Sequence, residues 1–128
     1  MARILVIEDD DSIRKLIEKF MTIDGHEVET AENGAVGLKM IASRQYDLLI
    51  TDIVMPEQDG IGVLMELRMR SSKLKTIVIT GGSLKLQVDD LMLTARAMKA
   101  DKVLQKPLDF EKLSQVVAAL LKPAEETV

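Results

Sequence analysis

Acidic, hydroxyl and ammonium groups follow four of the short apolar segments of this 128-residue chain. Glu8 and Asp9 follow the first segment, Asp52 the third, Thr80 the fourth and Lys106 the fifth. In an open α/β sheet, the carboxyl ends of parallel strands line one crevice, where such folds bind their ligands. We therefore expect these five side chains to lie close together.

These residue types favour phosphoryl transfer. Three carboxylates in one crevice repel each other unless a cation neutralises them, and Mg²⁺ or Mn²⁺ suits ligands that are all oxygen. A carboxylate such as that of Asp52 can attack phosphorus and form an aspartyl phosphate. The Lys106 ammonium would offset charge on the transferring group, and the Thr80 hydroxyl would donate a hydrogen bond to it.

The elements that must position these groups are predicted from the apolar pattern. Continuous apolar runs are typical of strands buried on both faces of a parallel sheet, and the stretches between them have apolar residues at helical spacing. Strict alternation predicts an α/β fold, a doubly wound (βα)5 domain with a five-stranded parallel sheet and helices on both faces.

The helix near residues 33–43 is the weakest prediction because Gly34 and Gly37 lower its helix propensity. Asp109 is expected to cap the last helix. The strand runs are Ile4–Ile7, Val28–Ala31, Leu48–Ile50, Thr76–Ile79 and Val103–Leu104, and the other helical patterns are Ile13–Phe20, Ile61–Met65, Val88–Ala95 and Leu113–Leu120.

Composition excludes several classes of function. The chain is 47% hydrophobic and 30% charged, which is typical of a globular domain. A net charge of -4 without a basic run argues against direct nucleic-acid binding. The lack of Cys fits a reducing compartment, so we expect a cytoplasmic protein. The first apolar run is too short for a membrane span. We expect one domain over residues 1–122 and a short polar tail over 123–128.

The chain resembles the receiver domains of two-component response regulators over about residues 2–121. Each motif alone is a weak signal, but four of them in this order, at the expected strand ends, are specific. The motifs are Ile4-Leu5-Val6-Ile7-Glu8-Asp9 for the first strand with its acidic pair, Asp52 with Met55-Pro56 and Asp59-Gly60 for the phosphoacceptor and its loop, Thr80-Gly81 for the switch hydroxyl, and Lys106-Pro107 for the invariant lysine.

The resemblance implies a flavodoxin-like receiver fold, and it assigns a role to each matching residue. Asp52 would be the phosphoacceptor, and Mg²⁺ or Mn²⁺ would be held by carboxylates and one backbone carbonyl. The bond between Lys106 and Pro107 would be cis, which proline permits. The implied metal ligands are Glu8, Asp9, Asp52 and the carbonyl of Val54, and the implied phosphoryl-binding residues are Thr80, Gly81 and Lys106.

The resemblance also implies partners. The phosphodonor would be a histidine kinase or a histidine phosphotransfer protein, and the domain would catalyse only its own phosphorylation and dephosphorylation. The output would be a contact with another protein through the fourth helix, fifth strand and fifth helix of the receiver fold. A homodimer that forms on phosphorylation is a further form of this output. With no DNA-binding or enzymatic segment in the chain, we expect a stand-alone receiver.

Two departures from the family pattern keep alternatives open. Val103 stands where the family has a Tyr or Phe that changes rotamer, and the segment from Thr80 to Lys106 is about one helical turn longer than the family norm. A pseudo-receiver that binds partners without phosphorylation is therefore one alternative. A Mg²⁺-dependent aspartyl-phosphate phosphatase of the haloacid dehalogenase type is the other, although that class has an acid two residues after the nucleophile, where this chain has Val54.

Overall fold

Five parallel strands form one sheet in a computed structural model that describes residues 2–52, 66, 74–80 and 100–122, with Thr80 described by its backbone alone. The elements are β1 (Arg3–Ile7), α1 (Asp11–Ile23), β2 (Glu27–Ala31), α2 (Gly34–Ser43), β3 (Leu48–Asp52), β4 (Lys75–Thr80), β5 (Lys102–Gln105) and α3 (Phe110–Leu120). The strand order is β2-β1-β3-β4-β5. The predicted five-stranded parallel α/β fold is confirmed. The helices expected near 61–65 and 88–95, and the tail 123–128, lie outside the described residues.

Helices cover both faces of the sheet because successive strand residues point to opposite sides. All five residues of the central strand β3 are buried, as its continuous apolar sequence predicts. One face of the sheet packs against Ile17 and Met21 of α1 and Leu113 and Val117 of α3, and the other face packs against Leu38, Met40 and Ile41 of α2.

None of the described helices combines the length and apolar character needed to cross a bilayer.

Each described helix begins at a side-chain cap at the carboxyl edge of the sheet. Asp10, Asn33 and Asp109 precede α1, α2 and α3, and each accepts a hydrogen bond from the backbone N–H three residues later, at 3.1, 2.9 and 3.1 Å. Such caps satisfy N–H groups that have no partner within the helix. The predicted cap at Asp109 is confirmed, and the chain turns from strand to helix immediately beside the acidic residues.

Candidate functional site

The acidic residues meet because their strands are hydrogen-bonded neighbours. Strand β1 pairs with β3 in parallel, with Ile7 beside Thr51. Glu8 directly follows the end of β1, and Asp52 is the last residue of β3. Glu8, Asp9 and Asp52 each offer one carboxylate oxygen, and these oxygens all lie within 4.8 Å of one another. The main chain therefore holds three acids together at one edge of the sheet.

Lys106 directly follows β5, which is two strands away from β3, and brings an ammonium group to these acids. Its Nζ donates a hydrogen bond to Oδ2 of Asp52 at 2.8 Å and lies 2.9 Å from Oε1 of Glu8. Burial by itself would lower the pKa of Lys106, but the hydrogen bond to Asp52 and the nearby carboxylate of Glu8 together raise it above its ordinary value. Lys106 is therefore a firmly protonated cation between two buried carboxylates.

Glu8 is the most perturbed acid of the cluster. Its residue is only 1% exposed, and this burial raises its pKa to about 7, with the charge of Asp52 adding to the rise and Lys106 opposing it. Oε2 accepts a hydrogen bond from the backbone N–H of Asp10 at 3.1 Å. Oε1 is close to Lys106, but within the described part of the chain no donor is aligned with it for a hydrogen bond.

A hard divalent cation fits this donor set. The three carboxylates supply the oxygen ligands that Mg²⁺ and Mn²⁺ prefer, and the buried Oε1 of Glu8 has unused capacity as an acceptor. Asp9 is exposed, so the cluster is open to solvent on one side. Glu8, Asp9 and Asp52 would hold such a cation, which would relieve the repulsion among them. The predicted fourth ligand, the carbonyl of Val54, lies outside the described residues.

The raised pKa of Glu8 predicts a pH dependence of stability in metal-free protein. Because the folded state binds the Glu8 proton more tightly than the unfolded chain does, this contribution to stability is full below about pH 4.5 and is lost as the pH rises through about 7. Glu8→Gln removes the ionisation. Above pH 7 we expect it to be more stable than the unsubstituted protein by up to roughly 3 kcal/mol.

Melting temperatures measured in EDTA between pH 5 and pH 8 check this expectation. Glu27→Gln is the matched control because Glu27 is exposed at the start of β2 and pairs only with the exposed Arg3 in the described part of the chain. Curves that run parallel for the two variants over this range would contradict the assignment.

The other predicted site residues are described only in part. Thr80 ends β4 with Gln105 as its neighbour in β5, and its side chain lies outside the described part. Val103 lies in β5 beside Val78 and is half-buried. The Lys106–Pro107 peptide bond is cis. Gly81 lies outside the described residues.

One contact at the site was missed from the sequence. Arg14, in α1, donates from Nη1 to the backbone carbonyl of Glu8 at 2.9 Å, and its other terminal nitrogen pairs with Asp11. The pair with Asp11 was visible as an acid and a base three residues apart on a helix. The contact with Glu8 had no sequence signal, because it depends on how the chain turns between β1 and α1.

The chain is similar in sequence to known response regulators. The family described as "Response regulator receiver domain" matches residues 4–118. Response regulator MprA of Mycobacterium ulcerans is 36% identical over 120 residues, which are 94% of this chain and 50% of that protein. Regulatory protein AtoC of Escherichia coli is 31% identical over 94% of this chain and 25% of its own length. The chain thus spans half or less of these curated relatives, and they lend no support to a stand-alone protein.

Solved structures of the same kind superpose on the chain. Response regulator protein TrrA of Thermotoga maritima, solved in complex with Mg(2+)-BeF, is 37% identical with a TM-score of 0.81, covering 94% of this chain and 100% of that one. A response regulator receiver domain protein of Clostridium thermocellum is 28% identical with a TM-score of 0.85 over 100% of both chains. Sequence and fold comparisons therefore point to one family.

Proposed function

Since this chain belongs to the response regulator receiver domain family of two-component systems, we propose that it accepts a phosphoryl group on Asp52. The single observation that carries the proposal is the cluster of Asp52 with Glu8, Asp9 and Lys106 at one edge of the sheet. A carboxylate nucleophile, two further acids for a divalent cation and a fixed ammonium group are what phosphoryl transfer to an aspartate requires. The similar protein TrrA, solved with Mg(2+)-BeF, supports it as well.

The proposed reaction transfers the phosphoryl group from a histidine nitrogen to a carboxylate oxygen. An oxygen of the Asp52 carboxylate attacks phosphorus in line, the P–N bond of a phosphohistidine breaks, and its electron pair leaves with the imidazole. Lys106 offsets charge on the phosphoryl oxygens, and the Thr80 hydroxyl is proposed to donate to one of them. Mg²⁺ or Mn²⁺, when bound, neutralises the acids and stabilises the same charge. Water later attacks the phosphorus, the bond between phosphorus and the Asp52 oxygen breaks, and inorganic phosphate leaves as the carboxylate is regenerated.

The partners follow from this chemistry. The donor is proposed to be a histidine kinase or a histidine phosphotransfer protein, and the output to be a contact with another protein or a second copy of the chain. The surface proposed for this output includes β5 and α3, which is the fifth helix of the receiver fold. It also includes the predicted fourth helix near residues 88–95, which lies outside the described residues. The cytoplasmic location predicted from the sequence stays part of the proposal.

Intact-mass measurement tests the proposal. After incubation with acetyl phosphate and Mg²⁺ we expect a single phosphoryl adduct, and hydroxylamine should remove it because it cleaves acyl phosphates and leaves phosphate esters intact. Without a divalent cation, in EDTA, the rate of modification should fall by at least about 10²-fold. If no adduct forms with Mg²⁺ or Mn²⁺, the proposal is wrong and a pseudo-receiver becomes the better interpretation.

A further inference from the structure

The Arg14 side chain contacts the backbone directly before Asp9. Its Nη1 donates to the carbonyl of Glu8 at 2.9 Å, while its backbone N–H makes the first helical hydrogen bond of α1, to the carbonyl of the cap residue Asp10 at 2.9 Å. We propose that Arg14 is a positioning residue that fixes the orientation of the Glu8–Asp9 pair toward a divalent cation. This inference rests on the proposed function, because it concerns the same cation.

Several hydrogen bonds fix the turn between β1 and α1, and Arg14 provides the one from a helix side chain to the main chain of the acidic pair. The N–H of Glu8 donates to the carbonyl of Ala31 at 3.1 Å, which fixes the strand side. On the helix side, Asp10 caps α1 and its N–H donates to Glu8. The carbonyl of Glu8 belongs to the peptide unit that joins Glu8 to Asp9. By donating to this carbonyl, Arg14 fixes the orientation of that peptide unit and therefore of Asp9.

The shape of an arginine suits this task. The guanidinium presents donors in a rigid planar fork, so one side chain can hold the Glu8 carbonyl with Nη1 and the Asp11 carboxylate with Nη2 in a fixed relation. The Arg14 side chain is only 15% exposed, whereas that of Asp11 is 74% exposed. Asp11 therefore anchors the outer end of the fork, and the inner end is directed to the acidic pair. A lysine has one point of charge and cannot reproduce both contacts.

The sign of the change in metal affinity separates positioning from charge. If Arg14 acted only through its positive charge, its removal would make the cluster more negative and Mg²⁺ would bind more tightly. If it positions the acids, its removal weakens binding, because partners behind the ligands typically contribute about 10- to 100-fold to metal affinity.

Isothermal titration of metal-free protein with Mg²⁺ is the test. We expect Arg14→Ala to bind Mg²⁺ about tenfold more weakly than the unsubstituted protein. Arg14→Lys, which keeps the charge, should also bind Mg²⁺ more weakly. Arg44→Ala is the matched control, since Arg44 is 53% exposed and pairs with Glu29 away from the cluster. It should bind within about twofold of the unsubstituted protein. The backbone amide NMR signals of Asp9 and Asp10 should shift in both Arg14 variants without metal and not in Arg44→Ala.

Each outcome decides the inference. Unchanged or tighter binding in the Arg14 variants overturns it, even where their melting temperatures fall. Should Arg14→Ala fail to fold, Arg14→Lys and Asp11→Asn, which releases the outer end of the fork, still test it by the same titration. If the unsubstituted protein binds no Mg²⁺, or binds it equally after Asp52→Asn, the proposed metal site itself is wrong and the inference falls with it. Normal binding that depends on Asp52 but not on Arg14 overturns the inference alone.

Discussion

Asp52→Asn protein is expected to form no acyl phosphate under conditions that modify the unsubstituted protein, a loss of more than about 10³-fold in rate. The amide has nearly the shape of the carboxylate and its oxygen can still accept the hydrogen bond from Lys106, so the site should keep its geometry. The amide is, however, a very poor nucleophile toward phosphorus. Intact mass after treatment with acetyl phosphate and Mg²⁺ measures the loss.

Two controls show whether the loss is chemical. The melting temperature of Asp52→Asn should be no lower than that of the unsubstituted protein, because one of three mutually repelling carboxylates becomes neutral. Asp47→Asn makes the same change just before the other end of β3, where the carboxylate accepts a hydrogen bond from the N–H of Arg3 at 2.8 Å. Asp47→Asn should be modified normally. An undiminished adduct in Asp52→Asn would place the acceptor on another residue.

The central strand β3 was predictable because burial on both faces requires a continuous run of apolar residues. Leu48–Ile50 was expected as a strand and β3 extends from Leu48 to Asp52, all of it buried. The extra residues at strand ends, such as Thr51 and Asp52, are polar and so carry no apolar signal. Their inclusion depends on pairing with β4, where Asp52 lies beside Ile79.

The second helix shows where local propensity misleads. Gly37 weakens the helical pattern in the sequence, yet α2 includes it and it is buried. A Cβ at this position would lie 2.2 Å from Cδ1 and 2.7 Å from Cγ1 of Ile7, so glycine permits the close approach of α2 to β1. The reason for the glycine is therefore a tertiary contact that a local reading of propensity does not include.

Periodicity identified the apolar residues of the first helix, but it did not identify which of them face the sheet. Ile13, Leu16, Ile17 and Phe20 fit the expected spacing, but Leu16 is 43% and Phe20 37% exposed while Ile17 is fully buried. A helix with two adjacent apolar stripes does not reveal which one faces the sheet. Here Phe20 instead stacks on the ring of Phe110, with centroids 4.6 Å apart.

The proximity of Glu8, Asp9, Asp52 and Lys106 was predictable from the sequence, but the contacts among them were not. Strand order alone brings Glu8 and Asp52 side by side, because the residues that end neighbouring parallel strands share an edge. That Lys106 lies between both acids, and that Arg14 reaches back to Glu8, depends on side-chain conformations at a three-dimensional junction. Such contacts join residues that no sequence period relates.

Lys106→Met is expected to change two properties of the site in opposite directions. Without metal, the Lys106 ammonium is the cation that Glu8 and Asp52 share, at 2.9 and 2.8 Å. A divalent cation must compete with it, so its removal should tighten Mg²⁺ binding by at least about tenfold. Phosphorylation by acetyl phosphate should nevertheless slow by about 10²-fold or more, because the charge that develops on the phosphoryl oxygens loses its fixed partner.

Stability gives an independent measurement of the same exchange. In EDTA, Lys106→Met leaves two buried carboxylates without their ammonium partner and should lower the melting temperature. Saturating Mg²⁺ should then raise the melting temperature of the variant more than that of the unsubstituted protein, since ligand stabilisation grows with affinity. Lys102→Met is the matched control, because Lys102 is exposed at the start of β5, the opposite end of the strand from Lys106.

The direction of the two changes decides what Lys106 does. Weaker Mg²⁺ binding together with slower phosphorylation would mean that the lysine supports the metal site, contrary to the ion pairs seen here. Tighter binding with slower phosphorylation would separate two roles of one ammonium group. In the absence of metal the ammonium group compensates the buried charges of Glu8 and Asp52. During transfer it would instead contact the phosphoryl oxygens. The site would then be held together by a cation that must give up its resting partners for the reaction to proceed.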